Sequence, residues 1–457
     1  MKRIFGVMVV LGMLLAGQAY GAGFALIEQS VKGLGTAFSG GAAVAEDASV
    51  VYYNPAGMTR LEGQQVLAGV HIIVPSTELS VTTAQNVLGG SLGTNNGGDA
   101  GSAGVAPNFY YVNRINDRVA IGLGVNAPFG LSTDYDKGWV GRYHAVESDV
   151  ITVNINPSVA YRFNDKFSIG AGANAQYIDA TLSSMVDGGL VAAQLGAALV
   201  PSDPANDIFV ENTADDWSFG FNLGAMFEFS QNTRIGAAYR SEIKHNLQGE
   251  TIAVVPTAIA LTPVTVPGLG TVPLVGLFPN QGVNGKIDLP ASASLSVYHR
   301  FNEVLALMAD ATWTGWSSFE KLTLNFEGSG IAGSSSTTTT ENWDDTWRFS
   351  AGADYNLSPQ MVLRFGLAYD QTVIPSDEYR TPRIPDEDRF WVAFGASYQI
   401  NDRWGIDGAY THLYVADAVL NKVDTGVPGD ENTGKGTVVG SYEGSVNIAS
   451  VQVSYSF

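Results

Sequence analysis

Catalysis in this chain would have to be built without cysteine, which is absent. The five histidines, His71, His144, His245, His299 and His412, are scattered, and none lies near a serine-elbow sequence. A Ser-His-acid relay requires such groups to converge, and thiolate-ligated zinc or iron-sulfur chemistry is excluded outright. Asp377, Glu378, Asp386, Glu387 and Asp388 form an acidic cluster, without the ordered ligand spacing of a calcium loop. A solvated acidic surface, or divalent-ion bridges to lipopolysaccharide, accounts for them as well. No enzyme, metal site or cofactor is therefore expected. The side chains with chemistry left to offer are arginines. Arg162, Arg348 and Arg364 fall on the less apolar register of alternating segments. Each is a candidate partner for a ligand carboxylate, or a wall charge paired with Asp or Glu.

Charge limits the partners. Lys and Arg number 24 against 44 Asp and Glu, a net charge of −20, yet only 15% of residues are charged, well below the roughly 25% of a soluble domain. A nucleic-acid partner is not expected, because phosphate needs a basic face. Lys2 and Arg3 precede an uncharged apolar stretch from Ile4 to Ala16, and Ala19-Tyr20-Gly21 offers small residues before Ala22. Residues 1–21 thus read as a cleaved signal peptide, too short in apolar length for a spanning helix.

The remainder alternates with period two. Trp217, Phe219, Phe221, Leu223, Ala225, Phe227 and Phe229 interleave with Ser218, Gly220, Asn222, Gly224, Met226 and Glu228, and similar runs begin at Ile151, Phe167, Trp347, Met361 and Phe390. Segments of about ten residues or more, aromatic residues at segment ends, and tight turns alternating with long loops favour a membrane barrel over a soluble sandwich. Short polar turns stand at Asn116-Asp117, Asn164-Asp165, Gln231-Asn232, Asn302-Glu303, Ser358-Pro359 and Asn401-Asp402. Seven long loops lie near 78–104, 131–145, 185–215, 250–286, 328–342, 373–388 and 419–443. Six turns and seven loops join fourteen strands. The expected fold is all-β, a fourteen-stranded antiparallel transmembrane barrel over residues 64–457, with both ends at the periplasmic, short-turn side.

Three regions depart from that plan. Residues 22–63 are rich in Gly and Ala but also hold Phe24, Leu26, Phe38, Val50 and Tyr53. A solvated tail would not carry these, so the stretch is expected inside the barrel as a plug. The loop from Thr251 to Gly285 has no charged residue and includes Val254, Val255, Ile259, Leu261, Val275, Leu277 and Phe278; the loop before it adds Leu190, Leu195 and Leu199. Such apolar loops mark a capture site for a lipophilic molecule, packing of the loops on each other, or a protein interface. Lastly, Asn126-Ala127-Pro128-Phe129-Gly130 interrupts the third strand. Proline has no ladder donor and glycine relaxes the backbone, so the wall is kinked there or simply gives way to loop.

Ala22-Gly23-Phe24-Ala25-Leu26, Gly33-Leu34-Gly35-Thr36-Ala37-Phe38-Ser39-Gly40, Glu46-Asp47-Ala48 and Asn54-Pro55-Ala56 resemble the FadL/TodX family of outer-membrane transporters for hydrophobic compounds. So do Pro128-Phe129-Gly130-Leu131 with Trp139-Val140-Gly141-Arg142-Tyr143, and Ile384 through Trp391. The resemblance covers essentially the whole mature chain. It implies a bacterial outer-membrane location, an N-terminal hatch with Phe24, Leu26, Asn54, Pro55 and Ala56 at its gate, and a lateral opening at the third-strand kink. It adds Arg142 to the candidate carboxylate partners. The implied ligand is a long-chain fatty acid or an aromatic hydrocarbon, released into outer-membrane lipid. A general diffusion porin is the alternative outside the family, and an adhesin using the polar tract Ser334 to Thr340 is a third; that tract is otherwise expected to be a flexible loop.

Overall fold

Alternation fixes which way each strand faces, and here the apolar face points out. Phe219 is 75% exposed while Asn222, three residues on, is 2% exposed. A soluble sandwich buries its apolar face; an outward apolar band around a polar interior is the pattern of a barrel in lipid. The computed structural model describes residues 23–457, and the expected signal peptide lies outside them.

Fourteen antiparallel strands form the wall. They are β1 (Gln64–Gln85), β2 (Gly104–Arg114), β3 (Val119–Asn126, resuming as Gly130–Asp134), β4 (Glu147–Asn164), β5 (Phe167–Asp187), β6 (Asp207–Glu228) and β7 (Thr233–Arg240, then Ile243–Val254). Next come β8 (Gln281–Leu289, then Ser292–Arg300), β9 (Leu305–Thr314, then Lys321–Phe326), β10 (Thr346–Ser358), β11 (Met361–Asp370), β12 (Arg389–Gln399), β13 (Trp404–Val415) and β14 (Thr437–Ser456). Each pairs with its sequence neighbour, and β14 closes on β1 from Gln65↔Ser456 to Gln85↔Thr437. Closure leaves no sheet edge for lipid to meet. Exposed aromatic residues gather next to the short turns, among them Phe163, Phe229, Phe301, Tyr398 and Trp404, and again at the far end as Trp217, Trp347, Tyr369 and Tyr414.

The strands reach further beyond the membrane than the alternation indicates. Residues 78–85, 185–187 and 207–215 belong to strands, not loops. In these extensions one face packs on the apolar side chains of the external loops, as at Leu79, Ile208 and Val210, so period-two contrast fades while the hydrogen-bond ladder continues. The Ser-Thr tract also differs from expectation. Ser336–Thr340 is a strand paired with Lys321–Asn325, in keeping with the β-branched threonines that fill it.

Residues 23–63 pack against strands of the wall. They carry short helices at Val31–Gly35 and Val50–Tyr53 and a 3₁₀ turn at Pro55–Arg60. The segment lies directly on the wall because the wall offers glycine where it touches. A Cβ on Gly35 would come within 2.9 Å of the Gly395 Cα, and one on Gly170 or Gly236 would strike the backbone at Pro55-Ala56 or Ala42. Arginines from the wall complete the seat. Arg234 Nε donates to the Ala43 carbonyl at 2.6 Å, Arg240 Nη2 to that of Tyr52 at 3.1 Å and Arg348 Nη2 to that of Ala37 at 2.9 Å.

Filling one glycine should therefore unseat the segment without opening the barrel. Gly236→Leu is expected to leave the heat-modifiable barrel intact, since overpacking costs about 1–3 kcal/mol against a closed ladder. Single-channel conductance should rise, and residues 23–63 should become accessible to protease from the periplasmic side. Unchanged conductance would show that the close approach is dispensable.

Candidate functional site

The site begins where the wall is incomplete. β2 and β3 are laddered from Phe109↔Val125 to Arg114↔Ala120, and the resumed part of β3 pairs only with β4, from Gly130↔Ile151 to Asp134↔Glu147. Residues Gly104–Asn108 of β2 therefore have no ladder partner on that side among the described pairings, apart from an isolated bridge beyond them between Gly101 and Thr133. The interruption holds Pro128, which lacks an N–H, and the polar backbone around it finds partners in the lumen. Leu26 N donates to the Pro128 carbonyl at 2.8 Å, Gly130 N to that of Phe24 at 2.9 Å, and Gln29 Nε2 to that of Ala127 at 2.7 Å. Ala25 and Phe129 form the bridge between the two segments. Asn126 is buried beside them, its amide 3.4 Å from the Tyr110 hydroxyl.

Phe24 plugs an aromatic cage. Its ring centroid lies 5.0 Å from Trp316, 5.8 Å from Phe319, 5.9 Å from Trp343 and 6.0 Å from Phe129. Gly23, at φ +63°, passes so close to Trp316 and Trp343 that a side chain would strike both rings. Phe24 also lines a small apolar cavity of about 50 Å³, with Leu131, Val150, Leu182, Leu247, Ile287 and Leu322 among its walls. Two ionisable side chains, Glu341 and Arg383, face the same cavity. Arg383 spends its guanidinium on neutral acceptors: Nη1 on the Glu147 carbonyl at 3.0 Å and Ser148 Oγ at 2.9 Å, Nη2 on the Ser183 carbonyl at 3.1 Å. Burial draws it down to about 10, still cationic at neutral pH.

None of the four arginines singled out from sequence lines this cavity. Arg142 is buried in the loop after β3, 2.6 Å from Asp207 and bonded to the Tyr143 hydroxyl. Arg162 lies at the short turn beside Asp165. Arg348 stacks 4.8 Å over Trp391 and holds Ala37. Arg364 is paired with Glu46 at 3.1 Å and Asp354 at 3.3 Å. Lumen arginines thus fasten the N-terminal segment to the wall. Asn54 and Pro55 serve the same seat, Asn54 Nδ2 donating to the Ala42 and Ala225 carbonyls at 2.6 and 3.0 Å, with Ala56 buried next to them.

Residues 12–457 match the family described as outer membrane protein transport protein (OMPP1/FadL/TodX). The chain belongs to that family. It is 31% identical to a long-chain fatty acid transport protein of Escherichia coli over 409 residues, 88% of this chain and 89% of that one. It is 30% identical to outer membrane protein P1 of Haemophilus influenzae over the full length of both. A crystal structure of a Pseudomonas aeruginosa FadL homologue superposes with a TM-score of 0.85 at 30% identity, covering 95% of this chain and 100% of that one. The Pseudomonas putida toluene transporter TodX shares the fold, with a TM-score of 0.67 at 19% identity over 96% and 100%. This FadL/TodX-family chain is an outer-membrane β-barrel transporter, and the family is one of transport channels, not enzymes.

The external loops of this family member form a small core of their own. Ile259 and Phe278 are buried with Ala192, Ile208, Val264 and Leu274, and Leu195, Leu199, Val255 and Leu277 pack against them. Leu190 lies in the first turn of the helix Gly188–Gln194, its N–H capped by Asp187 at 2.7 Å. The two loops therefore do pack on each other. What they leave outside is an apolar crest of Val254, Leu261, Leu269 and Val275, with Leu261 80% exposed. The acidic cluster is largely neutralised from within, since Asp386 pairs with Arg389, and Glu387 and Asp377 with Arg380. Arg383, missed in the sequence, stands one residue before the matched segment Ile384 to Trp391, in a loop with no periodicity to mark it.

Glu28 ties this seat to pH. It is 1% exposed, and burial raises it from 4.5 to about 7, opposed by its own backbone N–H and by Arg348 and Arg389 and assisted by Asp370. A carboxyl raised on docking favours the docked segment below its free pKa, and that advantage is lost as pH rises through about 7. Amide exchange at residues 24–30, corrected for intrinsic rates, should therefore accelerate between pH 5 and 8, and Glu28→Gln should abolish the trend.

Proposed function

We propose that this transporter takes up long-chain fatty acids by passive diffusion. The observation that carries the reading is the apolar cavity with one guanidinium, Arg383, that has no carboxylate within ion-pairing distance among the described residues. A hydrocarbon channel has no use for that cation, whereas a fatty acid brings the missing anion, and a charge-assisted pair in a dry site is strong. Arg383 takes the role for which Arg142, Arg162, Arg348 and Arg364 were candidates.

The proposed route has three stages. The crest of Val254, Leu261, Leu269 and Val275 captures the acyl chain from solution or from lipopolysaccharide. The cavity then holds it, with its head at Arg383 and its tail towards Phe24. Displacement of the hatch, residues 23–63, at Phe24 and Leu26 frees Pro128 and Gly130 and opens the unladdered stretch between β2 and β3. The ligand leaves sideways into outer-membrane lipid. Transfer along apolar surface needs no energy source, because each methylene kept from water is worth about 0.8 kcal/mol.

Two measurements test this. In protein reconstituted in lipid nanodiscs, Arg383→Met should weaken long-chain fatty-acid binding by about tenfold or more, since a hydrogen bond to a charged group contributes about 1.5–3 kcal/mol, and leave toluene unaffected. Toluene binding without fatty-acid binding would move the protein to aromatic-hydrocarbon uptake, and binding of neither with large steady conductance would make it a porin. In cells, restoring a regular strand with Pro128→Thr and Gly130→Val should reduce fatty-acid uptake while the barrel folds normally. Undiminished uptake would exclude the lateral exit.

A further inference from the structure

The lipid-facing side of the wall is not evenly covered by side chains. Ladder register sets Ala171 of β5 between Val159 of β4 and Leu223 of β6, and Ala175 between Ile155 and Phe219. Side chains alternate across a strand, and these stand on the outer face, where Val159 is 50% and Leu223 47% exposed. A methyl group flanked by larger side chains leaves a recess. At Ala171 it widens into a groove of about 340 Å³, walled by Val159, Tyr161, Ile169 and Leu223, a volume within the roughly 300–1,000 Å³ of small-molecule sites. Ala171 lies four residues beyond Phe167, one of the exposed aromatic residues beside the short turns. At about 3.3 Å per residue and a tilt of about 40°, the groove sits about 10 Å into the hydrocarbon from the periplasmic side. That depth is within the acyl chains of the inner leaflet. On the inner face of the same strip, Gly170 and Gly224 seat Pro55 and Asn54.

Cations stand at the periplasmic end of these strands. The turns Asn116-Asp117-Arg118 and Asn164-Asp165-Lys166 share one geometry, in which the Asn Oδ1 accepts from the next two backbone N–H groups but one, at 2.9 and 3.0 Å in each. The turns are neighbours, since Arg162 N donates to the Arg118 carbonyl at 2.7 Å. Their acids are committed, Asp117 to Arg114 at 3.3 Å and Asp165 to Arg162 at 3.8 Å. Arg118 and Lys166 are exposed and have no ion pair among the described residues. In a chain of net charge −20, these two turns and their flanking arginines carry four positive charges against two negative.

We propose that the groove over Ala171 is a resident site for an anionic diacyl phospholipid of the inner leaflet, with one acyl chain in the groove and its phosphate at Arg118 and Lys166. The groove is apolar and opens to lipid, so it takes an acyl chain; the uncompensated cations select the head group. Phosphatidylglycerol brings a net negative charge to them, whereas phosphatidylethanolamine brings its own ammonium and gains less. The site is independent of what the barrel transports. A lipid held there backs the strip of wall on which residues 54–56 rest.

Native mass spectrometry of protein released from nanodiscs of equal phosphatidylglycerol and phosphatidylethanolamine tests the site. One tightly retained lipid per barrel is expected, with phosphatidylglycerol favoured by about tenfold or more. Arg118→Gln combined with Lys166→Gln should retain a lipid without preference. Ala171→Phe, which fills the groove, should lose the retained lipid while the heat-modifiable barrel stays intact. Because Arg118 and Lys166 lie in exposed turns, the double variant tests the site independently of how Ala171→Phe folds. Equal retention of both lipids by the unaltered protein, an undiminished preference in the double variant, or unchanged retention in Ala171→Phe would overturn the proposal. So would a second copy of the chain held in place of lipid and released by Ala171→Phe, which would make this face a contact between protomers.

Discussion

Every backbone N–H and C=O at membrane depth needs a partner that lipid cannot supply, and the whole molecule is arranged around that requirement. Interstrand ladders meet it around most of the wall, although the seams between β6 and β7 and between β8 and β9 break over residues 216–221 and 286–291. The seam between β2 and β3 breaks where Pro128 removes a donor and the chain turns inward. Its carbonyls and amides are met from inside by Phe24, Leu26 and Gln29. The N-terminal segment is therefore part of the wall's hydrogen bonding at the break between β2 and β3. In the proposed route, displacing the hatch and opening the wall are one event, since the same bonds do both.

The lumen follows from a second constraint, that of space. A fourteen-stranded barrel is too wide for its own side chains to fill, and residues 23–63 pack against its strands. Their seat depends on inward glycines, which let backbone rest on backbone at Gly35 and Gly395, and on arginines that reach from the wall to carbonyl oxygens. Arginine suits this task because its planar fork offers several donors in a fixed arrangement. The result separates two functions spatially: cations near the floor hold the segment, and the cation at Arg383 faces the cavity.

Much of this was legible in the sequence because lipid imposes a simple code. The run from Trp217 to Phe229 shows its exposed and buried faces residue by residue, and six short turns with seven long loops suffice to count the wall. The same code falls silent outside the membrane. Residues 207–215 alternate weakly because neither face meets lipid, and Ser336–Thr340 has no apolar face at all, although its threonines favour a strand. The arginines were visible, but not their roles. Whether a guanidinium meets a carbonyl, a carboxylate or an empty cavity depends on residues far away in the chain, such as Ala37 for Arg348 or Glu147 and Ser183 for Arg383. No local period encodes such partners.

The external loops show how a surface can be apolar without collapsing. Ile259, Val264, Leu274 and Phe278 bury one another with Ile208, so the loops have a core and hold their shape. Leu261 and Leu269 are left outside that core, at 80% and 74% exposure. Each exposed methylene there lowers its free energy by about 0.8 kcal/mol on covering another apolar surface, which provides a weak, unselective first contact. The cavity adds enclosure and the charge of Arg383, and the membrane offers the largest apolar volume of all. Along the proposed route a lipophile thus meets an increasing extent of apolar surroundings. A charged head group is the one part of it that must be paired before it leaves water, and in that route Arg383 is the cation proposed to pair it.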